Sequence, residues 1–219
     1  MDSGSHSRFS WVQVSGLLLL CGLSLGIITF VNGASYRCAQ RAAPNLAWLA
    51  ETCSTSLIVC AALYLAIRPS RPFAMPRRRT NWSRIVRISA VWLLLWYAGS
   101  CAIAWRRGEW TAYAHGGAAI VAFLVCGPLQ EELLFRGAIF ELTQRVFRSA
   151  LLPVMVSSVF FSLHHFELHH YRAIPAALAQ VAFTFPMGVV FGLLRSESDS
   201  VWPGLLLHIV TNVPGCFGR

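Results

Sequence analysis

Residues 111–137 read TAYAHGGAAIVAFLVCGPLQEELLFRG: an apolar run passes through Pro128 into two adjacent glutamates and an arginine. From Thr111 to Gly127 there is no Asp, Glu, Lys or Arg. A run of about 17–25 such residues is long enough to cross the hydrocarbon core of a bilayer as a helix. The helix is expected to continue through the charged motif towards Phe147, with a bend at Pro128, where the missing N–H and the ring disturb the preceding turn.

Similar runs lie on both sides. Upstream are Trp11 to Val31, Leu46 to Ile67 with Glu51 near one end, and Val86 to Trp105. Downstream are Ala150 to Phe166, Ile174 to Leu194 with Pro186 inside, and Val201 to Cys216. The first run follows Arg8 and has the look of a signal peptide, but its length favours a retained helix. The expected fold is all-α: a polytopic membrane bundle of about seven transmembrane helices. Residues 1–110 form an N-terminal set of three spans with a basic loop at 68–87, and 111–219 form a second membrane unit.

Composition agrees. The 219 residues are 56% hydrophobic and only 12% charged, about half the charged share of a soluble domain. The net charge is +9 and every basic residue is Arg. These arginines sit in short segments between apolar runs, which argues against nucleic-acid binding and for a positive cytoplasmic side. With the N-terminus cytoplasmic, 12 of the 18 arginines fall on that side, seven of them in the 68–87 loop. The seven cysteines form no CxxC pair and are read as small packing residues.

Charged groups in an apolar helix cost about 2.5–3.5 kcal/mol each on insertion scales, so they face a partner or a cavity. Three clusters stand out. In the first, Glu132 and Arg136 are four residues apart on one helix face and suit a charge-cancelling pair. Glu131 is turned about 100° from Glu132 on an α-helix and is free for other work, such as general acid–base chemistry. An interfacial acidic pair with a surface salt bridge explains the same spacing. In the second, Phe161-Ser-Leu-His164-His165 closes the fifth span, with His169 and His170 beyond; His165 and His169 have metal-ligand spacing. In the third, His208 and Asn212 project to one side and suit either an oxyanion site or a helix-packing pair.

Taken together, Glu131-Glu132-x-x-x-Arg136, Phe161-x-x-x-His165 and His208-x-x-x-Asn212 resemble the CAAX-protease and bacteriocin-processing (CPBP) family, which includes the type II CAAX prenyl proteases. The likeness covers roughly residues 111–216. Phe160-x-x-x-His164 also fits the second motif, but Ser157 to Phe161 favours the His165 register. The resemblance implies an intramembrane catalytic cavity in which Glu131 activates water, assisted by His165. His208 and Asn212 would hold the tetrahedral oxyanion, and Glu132 and Arg136 would orient Glu131. It implies no required cofactor, although two histidines and a carboxylate also suit zinc. The implied substrate is a membrane-associated protein or peptide, cleaved near the cytoplasmic interface. The arginine-only composition and short length point to a bacterial inner membrane, and no prenylated substrate is assigned. A non-catalytic scaffold, a bacteriocin self-immunity factor and a proton-coupled transporter are the rival readings.

Overall fold

The computed structural model describes residues 76, 80–107, 120, 122–147, 149–166 and 173–216. The expected spans at 11–31 and 46–67, most of the basic loop, and His169 and His170 lie outside the described residues. Among the described residues every regular element is helical. Their boundaries follow the hydropathy runs closely.

The first helix, α1 (Trp82–Arg107), starts four residues before the expected span. Asn81 explains the start: its side-chain oxygen accepts from the Arg84 N–H at 3.1 Å, as an N-capping asparagine does. Next comes a continuous rod built from four pieces. They are a π-helical turn π1 (Ala122–Cys126), α2 (Gly127–Glu131), a second π segment π2 (Glu132–Ile139) and α3 (Phe140–Phe147). At Pro128 the rod does not break. Cys126 keeps helical angles (φ −68, ψ −44), and the widened π turn before it relieves the clash that a proline ring makes with an α-helical turn.

Ser149 opens α4 (Leu152–His164) by accepting from the N–H groups of Leu151 and Leu152, both at 3.3 Å. The helix ends at His165, whose ψ of 4 leaves helical geometry. A long α5 (Ile174–Ser198) carries Pro175 in its first turn and tolerates Pro186 inside. It stops at Asp199 (φ 53), a left-handed residue of a type that accepts that conformation. Finally α6 (Trp202–Asn212) ends in a 3₁₀ turn, Val213–Cys216, that contains Pro214.

Pairwise contacts fix the directions. A Cβ placed on Gly188 would meet Ser158 at 3.1 Å, and one on Gly192 would meet Val154 at 3.0 Å, so α4 and α5 run antiparallel in close approach. Small residues at such a crossing let two membrane helices share van der Waals contact. Arg84 pairs with Glu197 at 2.9 Å, so α1 begins where α5 ends. One end of the bundle thus collects Arg84, Glu141, Arg145, Arg195, Glu197 and Asp199.

Leu94, Leu95, Ile103 and Trp105 of α1 are exposed. In water that surface would be a liability, whereas in lipid it is ordinary. Both α1 and α5 are long and apolar enough to cross a membrane. In the interior, Phe135, Phe161 and Phe191 are fully buried. Phe135 and Phe161 meet edge to face at 5.4 Å, and Phe161 meets Phe191 at 6.2 Å.

The α4–α5 crossing is therefore sensitive to volume. Gly192→Leu should lower unfolding stability by about 1–3 kcal/mol through overpacking against Val154. Gly99→Ala, where an added methyl meets nothing within 4 Å, should be neutral or stabilising by up to about 1 kcal/mol. Thermal unfolding of the two variants in detergent compares them directly.

Candidate active site

The predicted Glu132–Arg136 pair forms, with Arg136 Nη1 3.1 Å from Glu132 Oε1 and both side chains sealed from solvent. Arg136 Nη2 donates to the Gly188 carbonyl of α5 at 3.0 Å. Its guanidinium lies 4.4 Å from the Phe161 ring and 5.3 Å from that of Phe191, in cation–π reach of both. One side chain of the rod thereby grips α4 and α5 together.

His208 of α6 enters from the other side. Its Nδ1 lies 3.2 Å from Glu132 Oε1, and its Nε2 lies 3.7 Å from Glu131 Oε2. The two glutamates diverge along the rod, and so do the two nitrogens of an imidazole ring. Each carboxylate accordingly meets a different edge of the same histidine. The His208 ring also packs on Phe191 at 4.7 Å and near Phe161 at 5.8 Å.

Within this cluster some oxygens have no hydrogen-bond partner among the described residues. Glu131 Oε2 and Glu132 Oε2 are both buried in this state. Glu132 Oε2 lies against Gly204, where a Cβ would come within 3.0 Å of it. Gly204 is needed here because its bare Cα lets the α6 backbone approach the carboxylate. Glu131 differs from Glu132 in retaining partial exposure, 18% of its side chain.

His165 and His164 part ways. His165 Nδ1 is 2.9 Å from the Phe161 carbonyl. Donation from that nitrogen leaves Nε2 with its lone pair. The His165 ring stands edge-on to Phe161 at 4.8 Å, the same ring that touches His208 and Arg136. His164 turns towards Phe135 instead, with ring centroids 5.6 Å apart. The preferred register therefore puts His165 on the aromatic ring shared with the cluster.

Asn212 is engaged elsewhere: its Nδ2 approaches the Phe123 carbonyl of π1 at 3.5 Å. It thus holds α6 to the upstream end of the rod, one helical turn beyond His208. From α1, Trp92 Nε1 donates to Thr211 Oγ1 at 3.1 Å and Tyr97 donates to the Val210 carbonyl at 2.9 Å. These two clamps on α6, like Gly188 and Gly204, were not among the expected site residues. Each acts on a partner in a helix distant in sequence, and such partners leave no spacing pattern.

Comparison with known proteins fits this geometry. Residues 113–214 match the family "Type II CAAX prenyl endopeptidase Rce1-like". A curated protein of Bacillus subtilis (strain 168), named Putative membrane peptidase YdiL, is 28% identical over 97 residues. That match spans 42% of this chain and 34% of the relative, so the chain matches about a third of the relative's length. No solved structure matches the chain at a significant level. The match over residues 113–214 agrees with the resemblance to the CPBP family carried by the three motifs. Over these residues the chain is similar to membrane peptidases.

Breaking the buried pair should be expensive. Glu132→Gln leaves Arg136 without a full counter-charge in a sealed site, and should cost about 3–5 kcal/mol of stability. The more exposed Arg145–Glu141 pair at 3.1 Å should lose less than about 1 kcal/mol in Arg145→Ala. Denaturant unfolding of both variants in the same lipid–detergent mixture measures the contrast.

Proposed function

We propose that the protein is an intramembrane endopeptidase that hydrolyses a peptide bond by glutamate-activated water. The single observation that carries this reading is Glu131 Oε2. It is a buried carboxylate oxygen without a hydrogen-bond partner among the described residues, beside His208 and on a side chain that keeps some exposure. A carboxylate so placed can accept a proton from water.

In this mechanism a water molecule loses its proton to Glu131 as its oxygen attacks the scissile carbonyl carbon. His165, held by the Phe161 carbonyl, helps to align that water through Nε2. The tetrahedral oxyanion is stabilised by His208 and Asn212. Collapse breaks the C–N bond, and Glu131 returns the proton to the leaving amine. Glu132 and Arg136 fix His208 and, through the rod, Glu131.

Charge counting supports the scheme. Two carboxylates, one guanidinium and one imidazole are neutral together when they share one extra proton between Glu131 and His208. A neutral cluster is the least costly in a low-dielectric interior.

No step is routed through a metal. Among the described residues, no three His, Cys, Asp or Glu side chains are placed to hold one.

The substrate proposed is a membrane-associated protein or peptide cut near the cytoplasmic side. The protein itself is read as a multi-pass protein of a bacterial inner membrane, with residues 111–219 forming the catalytic unit. Glu132 lies nine residues before Glu141 of the charged end, roughly 13 Å at about 1.5 Å per residue. That depth suits a bond just inside the interface. The second reading, a non-catalytic scaffold, is favoured by one observation: Glu132, Arg136 and Asn212 all tie helices together.

Glu131→Gln separates the two. It should abolish cleavage of a membrane-anchored peptide substrate in proteoliposomes, by at least a factor of about 100, with folding retained. Full cleavage by this variant would remove Glu131 from the reaction, whereas a wild type that cleaves no such substrate would leave the scaffold reading.

A further inference from the structure

The second π segment has an external fastening that the proposed reaction does not use directly. At its end the Phe140 N–H donates to the Phe135 carbonyl, five residues back. An α-helix would direct that N–H to the Arg136 carbonyl, four residues back. The Arg136 carbonyl is taken instead by Arg195 of α5, whose Nε donates to it at 3.1 Å. Arg195 is almost wholly buried, 2% exposed. The other two arms of its guanidinium are also held: Nη1 by Asp199 at 2.9 Å and Nη2 by Glu141 at 3.3 Å. Its flat face lies 5.2 Å from the Phe140 ring.

We propose that Arg195 is a positioning residue of the site: by taking the Arg136 carbonyl, it holds π2 in the register that lets Glu131 and Glu132 meet the two nitrogens of His208. The argument has three links. A π turn is a poor local minimum and persists where something outside the helix stabilises it. The atom gripped belongs to Arg136, whose side chain pairs with Glu132. Finally, the grip is pre-oriented, because Glu141 lies in the rod itself and Asp199 is the left-handed cap of α5. A planar fork with three directed donors suits this position, and an ammonium does not. In Arg195→Lys the single charge should settle on the two carboxylates, which are stronger partners than a neutral carbonyl. The Arg136 carbonyl would then be released.

The inference rests on the endopeptidase reading only for its effect on rate, so the geometric test is independent of activity. The full chain, carrying ¹⁵N-labelled histidine, is reconstituted in lipid bilayers, and the ring resonances of His208 are assigned by their loss in His208→Ala. Arg195→Met and Arg195→Lys should both shift the His208 ring signals, while helix content by circular dichroism stays unchanged. Asp199→Asn, which keeps the bond to the Arg136 carbonyl, should leave those signals in place. If Arg195→Met does not fold, Arg195→Lys reads the same resonance with the charge retained. With a cleavable peptide, Arg195→Lys should lower kcat at least ten-fold with KM unchanged. The proposal is overturned if His208 is unmoved in the folded variants, or if His164 and His165 move as much as His208, which would mean general loosening. A shifted His208 in a protein whose wild type cleaves nothing would uphold Arg195 and remove the endopeptidase reading.

Discussion

A buried guanidinium must have its charge cancelled where it sits, and much of the helix arrangement follows from how Arg136 achieves this. Its counter-ion comes from one turn earlier in its own helix, Glu132. Its second arm reaches a backbone carbonyl of α5, and aromatic rings of α4 and α5 lie within cation–π reach. The carboxylate oxygen that neutralises it is shared with His208, which brings in α6. Four helical segments are therefore committed to one charge. The commitment is strict, because an uncompensated buried ion costs several kcal/mol whereas a mismatched apolar contact costs a fraction of that.

The two π segments give this cluster its shape. A π turn widens the helix and changes the angular step between residues, and such turns occur often at functional sites. Here π1 ends just before Pro128 and π2 begins at Glu132, so the Glu131–Glu132 pair lies close to both departures from α geometry. Each departure alters the backbone bonding nearby. Outside side chains reach both segments: Asn212 approaches the Phe123 carbonyl and Arg195 takes that of Arg136. The helices that supply these partners, α6 and α5, are the same ones that pack on the acidic pair.

Sequence reading located the helices well, because the signals involved are local. Apolar run lengths carried that reading; the helix starts are set within a turn by Asn81, Ser149 and the prolines at 153 and 175, which run lengths alone do not mark. The Glu132–Arg136 pair was legible for the same reason. The divergence of Glu131 from Glu132 was legible as well, but its meaning was not: one imidazole with two nitrogens accepts both directions. The twelve arginines assigned to the cytoplasmic side from the sequence include Arg136 and Arg195. The structure buries both inside helices, leaving Arg84, Arg87 and Arg145 as the more exposed arginines on that end among the described residues. Gly188 and Gly204 could not be singled out, since what matters at each is the distance to another helix.

The cluster also discriminates among its own members. Glu132 is spent on Arg136 and His208 and is sealed, so its pairing is accounted for by packing alone. Asn212 likewise has a helix-joining contact. Glu131 is the exception: it is the first of the two acids, it faces the outer nitrogen of His208 at a distance too long for a strong hydrogen bond, and part of its side chain remains accessible. Each acid leaves one buried oxygen unpartnered, at about 1–3 kcal/mol, but that of Glu132 is closed off against Gly204 on a sealed side chain, whereas Glu131 keeps part of its side chain exposed. The cost is tolerable if the oxygen's partner is supplied from outside the protein, as a water molecule in the proposed reaction would be. On that physical ground the proposed chemistry is assigned to Glu131 rather than to its better-paired neighbour.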